Sequence, residues 1–278
     1  MKKERKLFCE FGPRCYRISV RKEALKRDLR DLLRGTKIAR TKQGDNLPYI
    51  WKSDMKRIKR ELLGVDMQLQ INKATNLRLA AKELDGLIVQ PGETFSFWDT
   101  IGQATAEKGY LEGLVIHRTA LKSGVGGGLC QMANLIHYLV LHSPLTVAEL
   151  HHHSDAIFPD SGRRVPFGTG TSVCYKSLDY RFRNTTAHPV QLRVWVQDDD
   201  WLMGEMRSDT ALTCKYRLLE EDHHYKQEAD GVYYRNSRVY RVITDRETGR
   251  QIAKETVLVN HSRVLYDPAL IPKEEIRN

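Results

Sequence analysis

The five cysteines, Cys9, Cys15, Cys130, Cys174 and Cys214, are odd in number and scattered, and none forms a C-x-x-C pair. A zinc ribbon, a dithiol redox centre and a secreted disulfide framework are thereby disfavoured, and a reduced setting is the simplest account. The start "MKKERKLFCEFGPRCYRISV" is charged but lacks the apolar stretch of about 7 to 15 residues that marks a secretory signal. No run approaches the roughly 20 apolar residues of a membrane span. A cytoplasmic location without a transmembrane segment is expected from these absences. Internal repeats and low-complexity tracts are also lacking, and no Lys-Ser or Lys-Thr follows Gly126 to Gly128 to make a phosphate cradle.

What is present is an ordinary globular composition, 278 residues with 41% hydrophobic and 29% charged side chains. The net charge of +10 is unevenly placed, since residues 1–60 hold 20 Lys or Arg against 7 Asp or Glu. Such a segment suits an anionic surface, whether lipid, wall polymer or nucleic acid. Nucleic acid is the weakest of these, because the segment has only scattered aromatics, no zinc spacing and no reading helix.

Hydrophobic spacing predicts an amphipathic surface helix over 19–33, with Val20, Leu25, Leu29, Leu32 and Leu33 on its stripe and Gly35 after it. A second helix carries Leu77, Ala80, Ala81 and Leu84 and stops at Gly86. Leu87 to Val89 reads as a short buried strand, Pro91-Gly92 as a turn and Glu93 to Trp98 as extended. Farther on, Val190, Leu192, Val194 and Val196 alternate with Gln191, Arg193, Trp195 and Gln197, the period of a half-buried strand. A long hairpin is predicted to turn near Thr248-Gly249. The expected class is α+β: a basic helical segment over 1–60, a core over 61–196 in which a central helix packs on a mostly antiparallel sheet, and a hairpin-rich region over 197–278.

One stretch carries chemistry, "VGGGLCQMANLIHYLVLHSPL". If a helix begins at Leu129, Cys130 lies in its first turn, where free backbone N–H groups and the helix dipole favour a thiolate and lower the thiol pKa. Gly126, Gly127 and Gly128 then let a substrate approach the sulfur. A structural reading stands beside this one: small residues at a tight turn help a helix pack, and a free cysteine is often a small buried hydrophobe.

A thiolate needs a base, and "ELHHHSDA" supplies His151, His152 and His153 on a segment expected to return beside the helix. His153 ranks first, ahead of His137, which lies two turns along the helix from Cys130, and His142. Asp155 or Asp179 is available to orient the imidazole, and Gln131 to complete an oxyanion hole. Consecutive histidines point in different directions, so neither a metal site nor any cofactor is expected. His223 and His224, beside three acidic residues, read as a solvated loop.

The blocks "NLRLAAKELDGLIVQPGETFSF", "GGGLCQMANLIHYLVLHSPLTVAE", "HHSD" and "LDYRFRNTTAHPV" resemble, in this order, the VanW family, accessory proteins of glycopeptide resistance clusters. The resemblance falls on Pro91, Gly92, Glu93, Phe95 and Ser96, on Gly126, Gly127, Gly128, Cys130 and Gln131, on His153 and Ser154, and on Asn184. It departs from longer members in lacking their membrane anchor and wall-binding modules, and in having no Gly-x-Asp-Ala element around Gly168 to Thr171. It implies a role in the cell envelope and in vancomycin resistance, with peptidoglycan or its precursors as partner.

Two mechanisms follow as expectations. In the first, an arrangement similar to papain-like and transglutaminase-like hydrolases, Cys130 attacks an amide carbonyl, His153 shuttles the proton and Asp155 orients it. Glu93, Ser96, Ser154 and the three glycines then line the pocket of a cysteine amidase or transferase. In the second, the glycine turn and the "PGETFSF" segment form a peptide- or glycan-binding groove, and Cys130 is packed and inert.

Overall fold

The computed structural model describes residues 11–59, 66–117, 120–152, 155–156, 159 and 166–277. In chain order, α1 (Pro13–Leu33) leads into β1 (Thr41–Lys42) and β2 (Tyr49–Arg57). Next come α2 (Met67–Leu84), β3 (Leu87–Val89), β4 (Thr94–Ser96) and the single turn α3 (Phe97–Ile101). A hairpin of β5 (Glu112–His117) and β6 (Ala120–Val125) precedes α4 (Leu129–Leu141), β7 (Thr146–Glu149) and β8 (Asp155–Ala156). The rest is strand: β9 (Arg181–Arg183), β10 (Val190–Gln197), β11 (Trp201–Ser208), β12 (Cys214–Gln227), β13 (Tyr233–Asp245), β14 (Gln251–Val264) and β15 (Ile276–Arg277). The protein is α+β, with a helix at its N-terminal end and a β-rich C-terminal part.

The first sheet has the order β1-β3-β10-β11-β2, all neighbours antiparallel. The alternation read from the sequence places Val190, Leu192 and Val194 inside, and α2 and α4 cover that face. The helix stripe is equally faithful: Leu77, Ala80, Ala81 and Leu84 are all buried, and Asp66 caps α2 by accepting the Gln68 N–H at 2.9 Å. Gln191 departs from the alternation, being fully buried because its amide donates to the Gln43 and Asp45 carbonyls. Strands from all three expected segments meet in this sheet, since β2 and β11 flank the boundaries expected at 60 and 196 yet pair along their length.

A small sheet β4-β9-β7 and the β5–β6 hairpin complete this half. The long strands β12, β13 and β14 form the second sheet, with the short β15 and β8 added in parallel at its edges. Gly249, at φ +68°, turns the hairpin where the sequence placed it. A separate apolar cluster around Ala156, Phe167, Tyr225, Val264 and Ile271 serves this sheet. Among the described residues no helix is long and apolar enough to cross a membrane.

The predicted surface helix forms but begins earlier, at Pro13, where a proline is tolerated because the first N–H groups have no intrahelical partner. It docks by ion pairs. Arg27 grips Glu149 with both guanidinium nitrogens, at 2.5 and 3.0 Å, and Asp31 receives Arg181 at 2.7 Å.

Candidate functional site

The three glycines are occupied by packing. A Cβ on Gly127 would lie 2.1 Å from the Gly113 carbonyl carbon, so the turn and the β5 strand touch backbone to backbone. Gly126 faces the Ala104 methyl, and Gly128, at φ +96°, lies under the Lys73 chain, 2.2 Å from where its Cβ would stand. Asn76 of α2 clamps the same turn, donating to the Leu111 and Gly127 carbonyls, each at 3.0 Å, and accepting the Leu111 N–H at 2.8 Å. Of the two readings of these glycines, close packing is the one with partners for every position.

Beyond the turn, Cys130, Asn134 and His137 fall on one face of α4, at i, i+4 and i+7. Their partners all come from the segment 171–180. The Cys130 thiol lies 3.8 Å from the Val173 carbonyl, Asn134 Oδ1 accepts the Thr171 N–H at 2.6 Å, and His137 Nδ1 meets the Tyr180 hydroxyl at 3.1 Å. Burial pushes the Cys130 thiol up from its ordinary value. The lowering expected from the helix start is therefore overturned, because loss of solvent outweighs the dipole. Burial likewise holds His137 neutral, with its pKa down to about 3 and the charge of nearby His152 adding to the effect.

The histidine run lies on the far side of the same segment. Ser172 donates its N–H to the His151 carbonyl at 2.7 Å, and the His152 ring bonds the Gly168 carbonyl at 2.9 Å. Neither residue is in a strand, contrary to the extended pairing expected for them. His153 and Ser154, the leading base and its neighbour, lie outside the described residues.

Asp155 is in β8, opposite Arg263 of the second sheet. Asp179 is buried and accepts from Ser96 Oγ at 2.6 Å, from the Trp98 N–H and from Arg181 Nε at 2.7 Å. Within the histidine run, His151 is held by Glu149, whose Oε1 lies 2.9 Å from His151 Nε2. Burial alone would raise the Glu149 pKa, but hydrogen bonds from Arg27 and His151, and the Arg27 charge, bring it down to about 2. Sequence reasoning missed this pair, though its signal was available: residues two apart on an extended chain share a face.

The remaining candidates have structural partners. Gln131 donates its amide to the Arg57 carbonyl at 2.9 Å, at the end of β2 rather than toward an oxyanion. Glu93 accepts the Gln90 N–H at 2.9 Å and closes the Pro91-Gly92 turn. Ser96 caps α3 by accepting the Asp99 N–H. Asn184 makes four bonds, donating to the Val89 and His188 carbonyls and accepting from the Thr186 N–H and hydroxyl.

A second feature was not singled out from the sequence. On the outer face of the first sheet, Trp195 of β10 stands partly exposed beside Arg193, Glu205, Arg207 and Asn46, around a recess of about 280 Å³. Its polar rim is fixed. Asp85 holds Arg193 at 2.8 and 3.0 Å, Asn46 accepts from Arg193 as well, and Arg207 donates to Glu205 and to the Leu47 carbonyl.

Comparison with known proteins adds the lineage. The family described as VanW like protein is matched over residues 72–206. "Vancomycin B-type resistance protein VanW" of Enterococcus faecalis is 32% identical over 221 residues, 79% of each chain. "Uncharacterized protein YoaR" of Bacillus subtilis is 32% identical over 122 residues, which span 44% of this chain and 39% of that protein. No solved structure matches. With the ordered motifs and this identity over four-fifths of its length, the chain belongs to the VanW family.

Proposed function

We propose that the protein is a vancomycin-resistance accessory factor that works by recognising the glycan of peptidoglycan or of its precursors, with Cys130 as a packed, non-nucleophilic residue. One observation carries this reading: the half-buried thiol is directed at the Val173 carbonyl, 3.8 Å away, with its pKa raised, where a nucleophile needs a lowered pKa. The resistance role rests on the Enterococcus relative. The Trp195 recess is the ligand surface in this reading. An indole face stacks on the apolar face of a sugar ring, and the charges beside it are already paired, which suits a neutral ligand and a preorganised rim.

The test is a calorimetric titration of the full chain with a soluble disaccharide-peptide fragment of peptidoglycan. Trp195→Ala is expected to weaken binding at least tenfold while Cys130→Ala binds as the parent does. A thiol-enzyme reading has its own support, since Cys130 is on the first turn of α4 and the segment 171–173 joins it to the Glu149–His151 pair. Rapid iodoacetamide modification of Cys130 at neutral pH, with fragment cleavage abolished in Cys130→Ala, would establish that reading and defeat the first.

A further inference from the structure

The leucines of α1 do not face the core. Ile18, Leu25, Leu29, Leu32 and Leu33 are between 55% and 79% exposed. At about 100° per residue they share an arc of roughly 100°, and Arg27 and Asp31, which dock the helix, lie on the opposite side. Ion pairs to Glu149 and Arg181 thus present an apolar stripe, about 22 Å long from Ile18 to Leu33, to the outside.

The charges flanking the stripe identify what covers it. Arg14, Arg21, Lys22 and Lys26 project within about 80° of its centre, and α1 as a whole has seven Lys or Arg against three Asp or Glu. A second copy packed on this stripe would bring two such basic flanks together, which costs rather than stabilises. An acidic lipid surface neutralises them while its acyl boundary takes the leucines. Wall polyanions and nucleic acid match the charge but give the leucines nothing to enter.

We propose that α1 is an interfacial membrane anchor: it lies flat on an anionic bilayer, with Leu25, Leu29 and Leu32 in the headgroup–acyl boundary and Arg21, Lys22 and Lys26 among the phosphates. It sets the rest of the chain at the membrane surface without spanning it. This inference is independent of what the Trp195 recess or Cys130 does.

The experiment is co-sedimentation of the full chain with phosphatidylcholine vesicles, with and without about 30% phosphatidylglycerol. The protein should sediment with the anionic vesicles and stay in solution with the neutral ones. Leu25→Ser/Leu29→Ser/Leu32→Ser should reduce the bound fraction at least tenfold with an unchanged melting temperature, because all three side chains are exposed. Lys22→Glu/Lys26→Glu should do the same, and salt of about 0.5 M should weaken parental binding. Equal binding to neutral vesicles overturns the proposal. So does undiminished binding of the serine variant, which would mark a charge-only contact with polyanions. A dimer by light scattering that the serine variant converts to monomer would overturn it in favour of a second copy on this face.

Discussion

Replacing Gly127 by alanine separates the two readings of the glycine turn by a measurable amount. The added methyl would stand 2.1 Å from the Gly113 carbonyl carbon and 2.2 Å from its oxygen, both backbone atoms that cannot rotate away. Relief requires the β5–β6 hairpin and the start of α4 to move apart, an overpacking cost of about 1–3 kcal/mol or more. The shift also strains the 3.0 Å bond from Asn76 to the Gly127 carbonyl, adding about 1 kcal/mol. A total of about 2–4 kcal/mol, at about 2–3 °C per kcal/mol for a chain of this size, lowers the melting temperature by roughly 4–12 °C. Gly92→Ala is the control: Gly92 has φ +82° but nothing within 4 Å of its Cβ position, so only the left-handed conformation is penalised. That costs about 1–2 kcal/mol, or roughly 2–6 °C. Differential scanning calorimetry decides the matter. If Gly127→Ala melts within 2 °C of the parent while ligand binding falls, the glycine exists for ligand approach and the packing account is wrong.

Arg181→Met is expected to cost about 3–5 kcal/mol, because it removes the hydrogen-bonded cation from the docked Asp31 and leaves the buried Asp179 with only the more distant Arg27, 3.7 Å away; urea unfolding measures this, and a loss below about 1 kcal/mol would refute it. Asn184→Ala removes a side chain with four bonds and exposes no compensating solvent, so about 2–3 kcal/mol is expected from the same assay. Stability should fall as pH drops below about 6.5, since the unfolded chain protonates a histidine that the fold keeps neutral down to about 3. Glu149 acts in the same direction, since the fold holds it deprotonated too: its carboxylate stabilises fully above its unfolded pKa, and this is lost as pH falls toward about 2. In His137→Phe the melting temperature between pH 6 and pH 4 should change less steeply than in the parent; an unchanged slope would rule out His137 as the source.

Elements governed by local spacing were legible in the sequence. The α2 stripe from Leu77 to Leu84, the β10 alternation and the turn at Gly249 each depend on periods of 3.6 or 2, or on one glycine. The pairing of β2 with β11 was not, because some 150 residues separate Ser53 from its partner Glu205 and nothing in Tyr49–Arg57 marks its partner. Nor did the leucine spacing of α1 say which face docks; Arg27 and Asp31 settle that, through partners far along the chain. At Cys130, the signature of a reactive thiol at a helix start is also that of a packed one, and the neighbour that bears on the choice, the Val173 carbonyl 3.8 Å away, lies 43 residues along the chain.

The positions matching the VanW pattern thereby sort by what holds them. Gly126 to Gly128 meet Ala104, Gly113 and Lys73, Ser96 meets Asp179, Glu93 closes its own turn, and Asn184 ties β3 to the loop after β9. These contacts account for the named motif residues as parts of the packed fold. The proposed contacts rest instead on groups the packing leaves facing outward, among them the indole of Trp195 and the leucines of α1. They belong to different elements, and each is held by ion pairs at its back, Arg193 with Asp85 behind the recess and Arg27 with Glu149 behind the helix. A buried or half-buried ion pair costs desolvation and adds little net stability, but it fixes orientation. In this chain those pairs point an aromatic ring and an apolar stripe at solvent, the two surfaces on which the proposed sugar and bilayer contacts rest.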